Sequence, residues 1–194
     1  ANNANFTSWN VGSRTPDEIC ADQAINFINS YEENKPFLLT IGFARPHSPY
    51  YAPEKFFSLP YVPALNDVLL ANINTNDYND ITGPVNSSVK DLAQNSGWYK
   101  YTTYRNMGLD AYGDANRALR QFTQAYLACV AFVDEQVGKV LDALENSNDP
   151  NIRDNTLIIF TSDHGYHLGE KEFIFKHTPW EESVRVPFLV SGPG

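Results

Sequence analysis

The chain has 194 residues with 42% hydrophobic and 19% charged side chains, which is typical of a folded globular protein and excludes a disordered one. Its formal net charge is −9 and no run of Lys and Arg occurs, so nucleic acid is not an expected partner. No apolar run is long enough to cross a membrane, and residues 1–10 lack the order of a signal peptide. We therefore expect either a cytosolic chain or one from which a targeting segment has been removed.

The first predicted element is a helix that begins at Thr15. Thr15 can cap this helix, Pro16 suits its first position, and Glu18 completes a capping box. Apolar residues follow at roughly helical spacing until Lys35 and Pro36 break the pattern.

A buried strand and a proline-rich loop are predicted next. The apolar run over 37–43 is typical of a buried strand. Five prolines between positions 46 and 63 exclude a regular element there and hold His47 in a stiff loop after the strand. Residues 66–113 are rich in Asn, Asp, Tyr and Thr, and we interpret them as an irregular insertion with short helical pieces.

The remaining pattern predicts a long helix over about 114–146, followed by buried strands over 156–161 and 186–190. Strands that alternate with helices indicate an α/β fold with a mostly parallel sheet. Cys20 and Cys129 form no CxxC pair, so a zinc knuckle or a redox dithiol is not expected. The sequence leaves one disulfide between them open, and we expect two buried thiols.

All four histidines fall in two windows, each directly after a predicted strand. His47 follows the first strand, and His164, His167 and His177 follow the second. In an open α/β sheet, ligands bind beyond the carboxyl ends of the strands. Both windows are therefore candidate site segments.

Asp163 and His164 leave the second strand together. Asp supplies a hard oxygen ligand and His a nitrogen ligand, and Gly165 permits the turn that would bring both to one ion. The alternative is a strand-ending turn in which Asp163 caps the next segment. The dipeptide alone favours that alternative.

The other candidates are also open to two interpretations. His47 lies between prolines, which suits a general acid, although a stiff surface loop with an incidental His fits equally well. Lys176 follows an apolar run and is either snorkelling to the surface or held inward toward an anion. For His167 we favour a surface or hydrogen-bonded role over a metal ligand.

Four blocks of sequence then resemble a known family. ARPHSPYYAPEKF, YLACVAFVDEQVGKVLDAL, TLIIFTSDHGYHLGE and KHTPWEESVRVPFLVSGPG occur in the order of consecutive blocks of the sulfatase family. The iduronate-2-sulfatase-like branch, within the alkaline phosphatase superfamily, is the most similar. The resemblance implies part of an α/β/α sandwich with a mostly parallel sheet, and hydrolysis of a sulfuric ester of a small molecule or glycan.

The resemblance also implies roles for individual residues. Asp163 and His164 match the family's paired metal ligands, for which Ca²⁺ is the usual ion. Lys176 matches the lysine that contacts the sulfate, and His47 matches the histidine that contacts it near the leaving oxygen. His177, like His167, matches no family role.

Two family features are missing from these residues. The nucleophile is a formylglycine made from a Cys/Ser-x-Pro-x-Arg motif, and the closest segment here, Ser58-Leu59-Pro60-Tyr61-Val62, has Val62 in place of Arg. The paired aspartates that open family sequences are also absent. We therefore expect residues 1–194 to be the central to C-terminal part of a catalytic domain, inactive without the rest of the polypeptide. The resemblance implies a periplasmic, secreted or lysosomal setting.

Two other functions stay open. One is phosphoryl hydrolysis or transfer by a member of the same superfamily that uses zinc, although zinc sites there need more His and Asp ligands, and Lys176 argues for sulfate. The other is a non-catalytic domain of sulfatase type that binds sulfated or acidic glycans.

Overall fold

The structure is a computed structural model that describes residues 6–9, 14–33, 35–70 and 101–193. Within these ranges the helices are α1 (Pro16–Ser30), α2 (Tyr101–Tyr112), α3 (Arg117–Glu145), α4 (Pro150–Arg153) and α5 (Glu181–Val184). The strands are β1 (Phe6–Trp9), β2 (Tyr50–Pro53), β3 (Ile158–Thr161), β4 (His167–Leu168), β5 (Ile174–Phe175) and β6 (Phe188–Ser191). Short 3₁₀ helices cover Glu54–Ser58, Leu65–Asp67 and Glu170–Glu172.

The chain forms two compact units. Unit one contains residues 1–64, 124–159 and 190–194, and unit two contains 65–123 and 160–189. Small and aliphatic side chains build the core of unit one: Ala21, Ala24, Ile28, Val140 and Ile152. In unit two the fully buried side chains include Phe122, Phe173 and Ile174.

Helix α1 begins as the sequence predicts. The Thr15 hydroxyl accepts a hydrogen bond from the Glu18 amide at 3.2 Å, and the Glu18 carboxylate accepts one from the Thr15 amide at 2.7 Å. This reciprocal pair is a capping box, and it satisfies two amides that would otherwise lack partners.

The predicted strand over 37–43 is wrong as an assignment, since these residues pair with no other strand in the part of the chain that the structure describes. Their side chains nevertheless alternate. Phe37, Leu39, Ile41 and Phe43 pack against the unit-one core, whereas Leu38 is 92% exposed. The segment thus has the pattern of a half-buried strand, but no described strand lies beside it to provide ladder hydrogen bonds.

The sheets are smaller than expected. Strands β1 and β2 pair in parallel, β4 and β5 pair antiparallel, and β3 pairs with β6. Among the described residues no sheet has more than two strands, so the mostly parallel sheet is not observed. Strands β3 and β6 were expected to be buried, but Ile159, Phe188 and Leu189 are 58–68% exposed because no described residue covers them.

The other predicted elements compare well with the structure. The long helix, expected over about 114–146, forms as α3. Of the predicted insertion over 66–113, residues 71–100 lie outside the described residues, while α2 is one of its helical pieces. No helix in the described ranges is long and apolar enough to cross a membrane.

Both cysteines are free, so no disulfide joins them. Cys129 is fully buried, and this burial raises its thiol pKa to about 12. Cys20 is only partly buried. The expectation of two buried thiols is therefore confirmed for Cys129 and too strong for Cys20.

Candidate functional site

Three of the four predicted site residues lie together in unit two. The Nζ atom of Lys176 is 2.7 Å from Nε2 of His164, and the same Nε2 is 3.6 Å from Oδ2 of Asp163. The side chain of Asp163 is 84% exposed and that of His164 is 30% exposed. The cluster is therefore open to solvent on its carboxylate side.

The strand does end in a turn at Asp163, as the alternative interpretation expected. Residues 164–166 lie in no helix or strand, and the Asp163 carboxylate accepts a contact from the Ser162 hydroxyl at 3.5 Å. One oxygen and one nitrogen thus face the same space at the end of β3.

A backbone contact fixes the tautomer of His164. Its Nδ1 lies 2.8 Å from the carbonyl oxygen of Gly165, which can only accept, so we assign the proton to Nδ1. This leaves the lone pair of Nε2 directed at the ammonium group of Lys176. A carbonyl that orients an imidazole in this way is a usual feature of histidine ligands.

Asp163 and His164 fit part of a cation site. Their donor atoms are close enough to reach one ion at the distances of about 2.0–2.6 Å that protein ligands adopt. Calcium takes about six to eight oxygen ligands. The described residues contain no group of three or more His, Cys, Asp and Glu side chains that could hold a metal, so these two supply only part of the ligands. An imidazole nitrogen beside a carboxylate does not by itself select the ion.

Gly165 is required for a reason that the sequence did not reveal. Its φ is not in the left-handed region, so conformational freedom is not the cause. A Cβ atom here would lie 2.7 Å from the carbonyl oxygen of Arg185 and closer still to that of Glu182. The Gly165 amide also donates to the carbonyl oxygen of Ser183 at 2.8 Å. The turn that carries His164 therefore lies directly against α5.

Lys176 is held between two unusual backbone positions. Phe175 has a φ of 80° and His177 a φ of 79°, in the left-handed region that non-glycine residues rarely adopt. The ring of Phe175 lies 5.7 Å from that of Phe122 and 6.0 Å from that of Tyr166. Aromatic packing thus anchors the residue before Lys176, while the backbone stores strain of the kind that accumulates at functional sites.

His167 is fully buried and hydrogen-bonded, in agreement with the interpretation favoured from sequence. Its Nε2 lies 2.8 Å from Oγ1 of Thr178, and its Nδ1 lies 3.3 Å from the carbonyl oxygen of Glu170. Burial lowers the pKa of the imidazole, although the carboxylates of Glu182 and Glu170 oppose this effect. No sequence signal pointed to Thr178, because the contact joins residues that are eleven positions apart.

His47 belongs to unit one, whereas the other three predicted site residues belong to unit two. It is exposed, and its Nδ1 lies 2.6 Å from the carbonyl oxygen of Ser48. Arg45 donates from Nη1 to the carbonyl oxygen of His47 at 3.2 Å. The stiff loop predicted from the prolines is thus also held by backbone contacts.

The Arg45 loop is tied to α1 by a residue that sequence reasoning missed. Asp17 is 3% exposed, and its two oxygens accept hydrogen bonds from the amides of Ala44 at 2.7 Å and Arg45 at 3.3 Å. Asp17 is also in the first turn of α1, where the helix dipole favours a negative charge.

Comparison with known proteins gives consistent results. The sulfatase family profile matches residues 1–194. A sulfatase of Formosa agariphila is 36% identical over 198 residues, covering 96% of this chain and 34% of that protein. An iduronate 2-sulfatase of Mus musculus is 31% identical over 185 residues, covering 92% of this chain and 31% of that protein. The chain thus spans about a third of the length of these relatives.

A solved structure has a similar fold. The structure of BT4656 in complex with its substrate, D-glucosamine-2-N,6-O-disulfate, is similar to this chain with a TM-score of 0.58 and 25% sequence identity. The match covers 91% of this chain and 43% of that chain. The fold of most of this chain is therefore similar to part of a larger structure.

Proposed function

Because the chain belongs to the sulfatase family along all 194 residues, we propose that the full-length protein containing it hydrolyses a sulfuric ester. The observation that carries the proposal is the cluster of Asp163, His164 and Lys176, in which the His164 imidazole lies 2.7 Å from the Lys176 ammonium group and 3.6 Å from the Asp163 carboxylate. These are groups that can hold a cation and an anionic sulfate side by side.

The chemistry of a sulfate ester suits this cluster. Its cleavage builds negative charge on the transferring group and on the leaving oxygen. A divalent cation, which we propose to be Ca²⁺ held in part by Asp163 and His164, would supply positive charge to the sulfate. Lys176 would bind the sulfate oxygens directly, and its ammonium group already lies beside His164.

For His47 we propose the part of a proton donor near the leaving oxygen. Its exposed imidazole and its stiff loop support this role, since a donor must be reachable and held in one orientation. The nucleophile is proposed to be a formylglycine in another part of the polypeptide, because no Cys/Ser-x-Pro-x-Arg motif occurs in these residues.

The similar proteins support proposals about the branch of the family, the substrate class and the cellular setting. We propose that residues 1–194 are the central to C-terminal part of a catalytic domain of the iduronate-2-sulfatase-like branch, since two iduronate 2-sulfatases are among its relatives. A sulfated carbohydrate is the proposed substrate class, in line with the disulfated glucosamine bound by BT4656. A periplasmic, secreted or lysosomal setting is proposed by analogy alone.

The test is the substitution Lys176→Ala in the full-length protein, assayed with an aryl sulfate and with sulfated sugars. Removal of a group that stabilises developing charge is expected to lower kcat/KM by about 100-fold or more. Lys35→Ala is the matched control, because the Lys35 side chain is 75% exposed and its ion pair among the described residues is with Glu33 at the surface. Its activity should stay within about twofold of the unchanged protein.

Three results would contradict the proposal. An unchanged rate for Lys176→Ala would remove Lys176 from the site. Turnover of phosphate esters with bound zinc, in place of sulfate esters with calcium, would favour the phosphoryl-transfer alternative. Binding of sulfated glycans without any turnover would indicate a non-catalytic domain.

A further inference from the structure

We infer that a buried hydrogen-bond chain from His167 through Thr178 to Ser183 positions the two segments that carry the candidate site. One segment is the turn with Asp163 and His164, and the other is the strained segment with Lys176. The inference rests on the proposed function for its catalytic consequence, but its structural part can be tested separately.

The chain of contacts is continuous and enclosed. Nε2 of His167 is 2.8 Å from Oγ1 of Thr178, and Oγ1 of Thr178 is hydrogen-bonded to Oγ of Ser183 at 2.9 Å. These three residues are 0%, 8% and 5% exposed. The rings of Phe173 and Trp180 lie 5.3 Å and 5.9 Å from that of His167. A buried polar group that loses its hydrogen-bond partner destabilises the folded protein. This arrangement is therefore strongly favoured over ones in which any of these three side chains lacks a partner.

One end of the chain fixes the turn that carries the proposed metal ligands. Ser183 lies in α5, and its carbonyl oxygen accepts the hydrogen bond from Gly165, the residue directly after His164. The lack of room for a Cβ at Gly165 shows how closely the turn and α5 approach. A shift of Ser183 would therefore move the carbonyl of Gly165, which orients the His164 ring.

The other end fixes the segment that carries Lys176. In the antiparallel pair of β4 and β5, His167 is opposite Phe175, the residue before Lys176. Thr178 follows two residues after Lys176, beyond the left-handed position of His177. The contact between His167 and Thr178 thus holds this segment on both sides of Lys176 and keeps its strained backbone in place.

His167, Thr178 and Ser183 are therefore positioning residues, which act on the site through Gly165 and the backbone around Lys176. Partners of this kind, one step removed from a metal or substrate, typically contribute about 10- to 100-fold to affinity or activity. Their effect should fall mainly on kcat, because a displaced Lys176 or His164 loses interactions that are strongest in the transition state.

The test compares Thr178→Val with Thr178→Ser in the full-length protein. Valine keeps the shape of threonine and removes the hydroxyl, whereas serine keeps the hydroxyl and removes the methyl group. We expect kcat on a sulfate ester to fall about 10- to 100-fold for Thr178→Val with KM changed less than threefold, and to stay within about threefold for Thr178→Ser. Ser183→Ala, in which the same hydroxyl pair is broken from the other side, should resemble Thr178→Val.

Hydrogen exchange provides the readout that does not depend on activity. Peptides covering 162–168 and 174–178 should exchange at least tenfold faster in Thr178→Val than in the unchanged protein, while Thr178→Ser remains protected. Equal exchange in all variants, or an equal loss in both Thr178 variants, would overturn the inference. A protein that turns over no sulfate ester yet shows the expected exchange pattern would refute the proposed function and leave the positioning network standing.

Discussion

At the scale of single residues, the chemistry of the candidate site depends on the hydrogen-bond partners of the two ring nitrogens of His164. His164 uses Nδ1 for a backbone carbonyl and leaves the lone pair of Nε2 to the Lys176 ammonium group, with Oδ2 of Asp163 3.6 Å from the same nitrogen. An ammonium group can donate to that lone pair, and a cation can bind to it, but the two compete for one position. Cation binding would therefore release Lys176 to an anionic ligand, which would link the metal and sulfate roles proposed for these residues.

Asp17 gives a prediction at the same scale. The substitution Asp17→Asn should lower the free energy of unfolding by about 1.5–3 kcal/mol, because hydrogen bonds to a charged acceptor from the amides of Ala44 and Arg45 are replaced by weaker ones. Chemical denaturation of the full-length protein measures this change. Turnover should also fall, since the loop that carries His47 is held less tightly to α1.

The matched control for Asp17 is Asp22→Asn in the same helix. Asp22 pairs with Arg14, and its side chain is 48% exposed, so its contribution should be below about 1 kcal/mol. A loss of stability of the same size for both variants would show that charge on α1, and not the buried contact, is responsible.

At the scale of elements, the turn between β3 and β4 and helix α5 form one tightly packed pair. Gly165→Ala should destabilise the protein by about 1–3 kcal/mol, because the added methyl group meets backbone carbonyl oxygens that cannot rotate away. The same displacement should reduce sulfate-ester turnover, since His164 is adjacent. Thermal unfolding and steady-state kinetics of the full-length variant give both quantities.

Gly138→Ala is the control for the glycine prediction. Gly138 lies within α3, and a Cβ there would meet no atom within 4 Å. Alanine is favoured over glycine in a helix by about 0.5–1 kcal/mol, so this variant should be slightly more stable and fully active. A destabilised Gly138→Ala together with a tolerated Gly165→Ala would contradict the packing argument.

At the scale of the whole molecule, the features predictable from sequence were those set by neighbouring residues. The capping box of Thr15 and Glu18 is a contact over three positions, and it formed as predicted. The segment over 37–43 has the apolar pattern of a strand, but a strand also needs a neighbour, which sequence patterns do not supply. Whether residues 37–43 form a strand therefore depends on tertiary contacts.

The same distinction applies to the candidate site. The order of the sequence blocks pointed to Asp163, His164 and Lys176, and the structure brings these three together. Their chemical roles stay predictions. The partner of His167 was not predictable, because Thr178 meets it only once β4 and β5 pair and the chain returns through Trp180 and α5. Gly165 was identified by a turn argument, whereas its actual constraint is the approach of α5.

The buried imidazole of His167 gives the folded protein a predictable response to acid. Since burial holds its pKa below the ordinary value of about 6.5, the unfolded chain binds a proton at a higher pH than the folded chain does. The contribution of the neutral, buried His167 to the free energy of unfolding is therefore fully present above about pH 6.5. It is lost as the pH falls through the folded-state pKa. Denaturation of the full-length protein and of His167→Gln between pH 8 and pH 5 should show the stability difference between them shrinking with acidification. If the free energies of unfolding of the two proteins change in parallel with pH across this range, His167 does not contribute to the acid response.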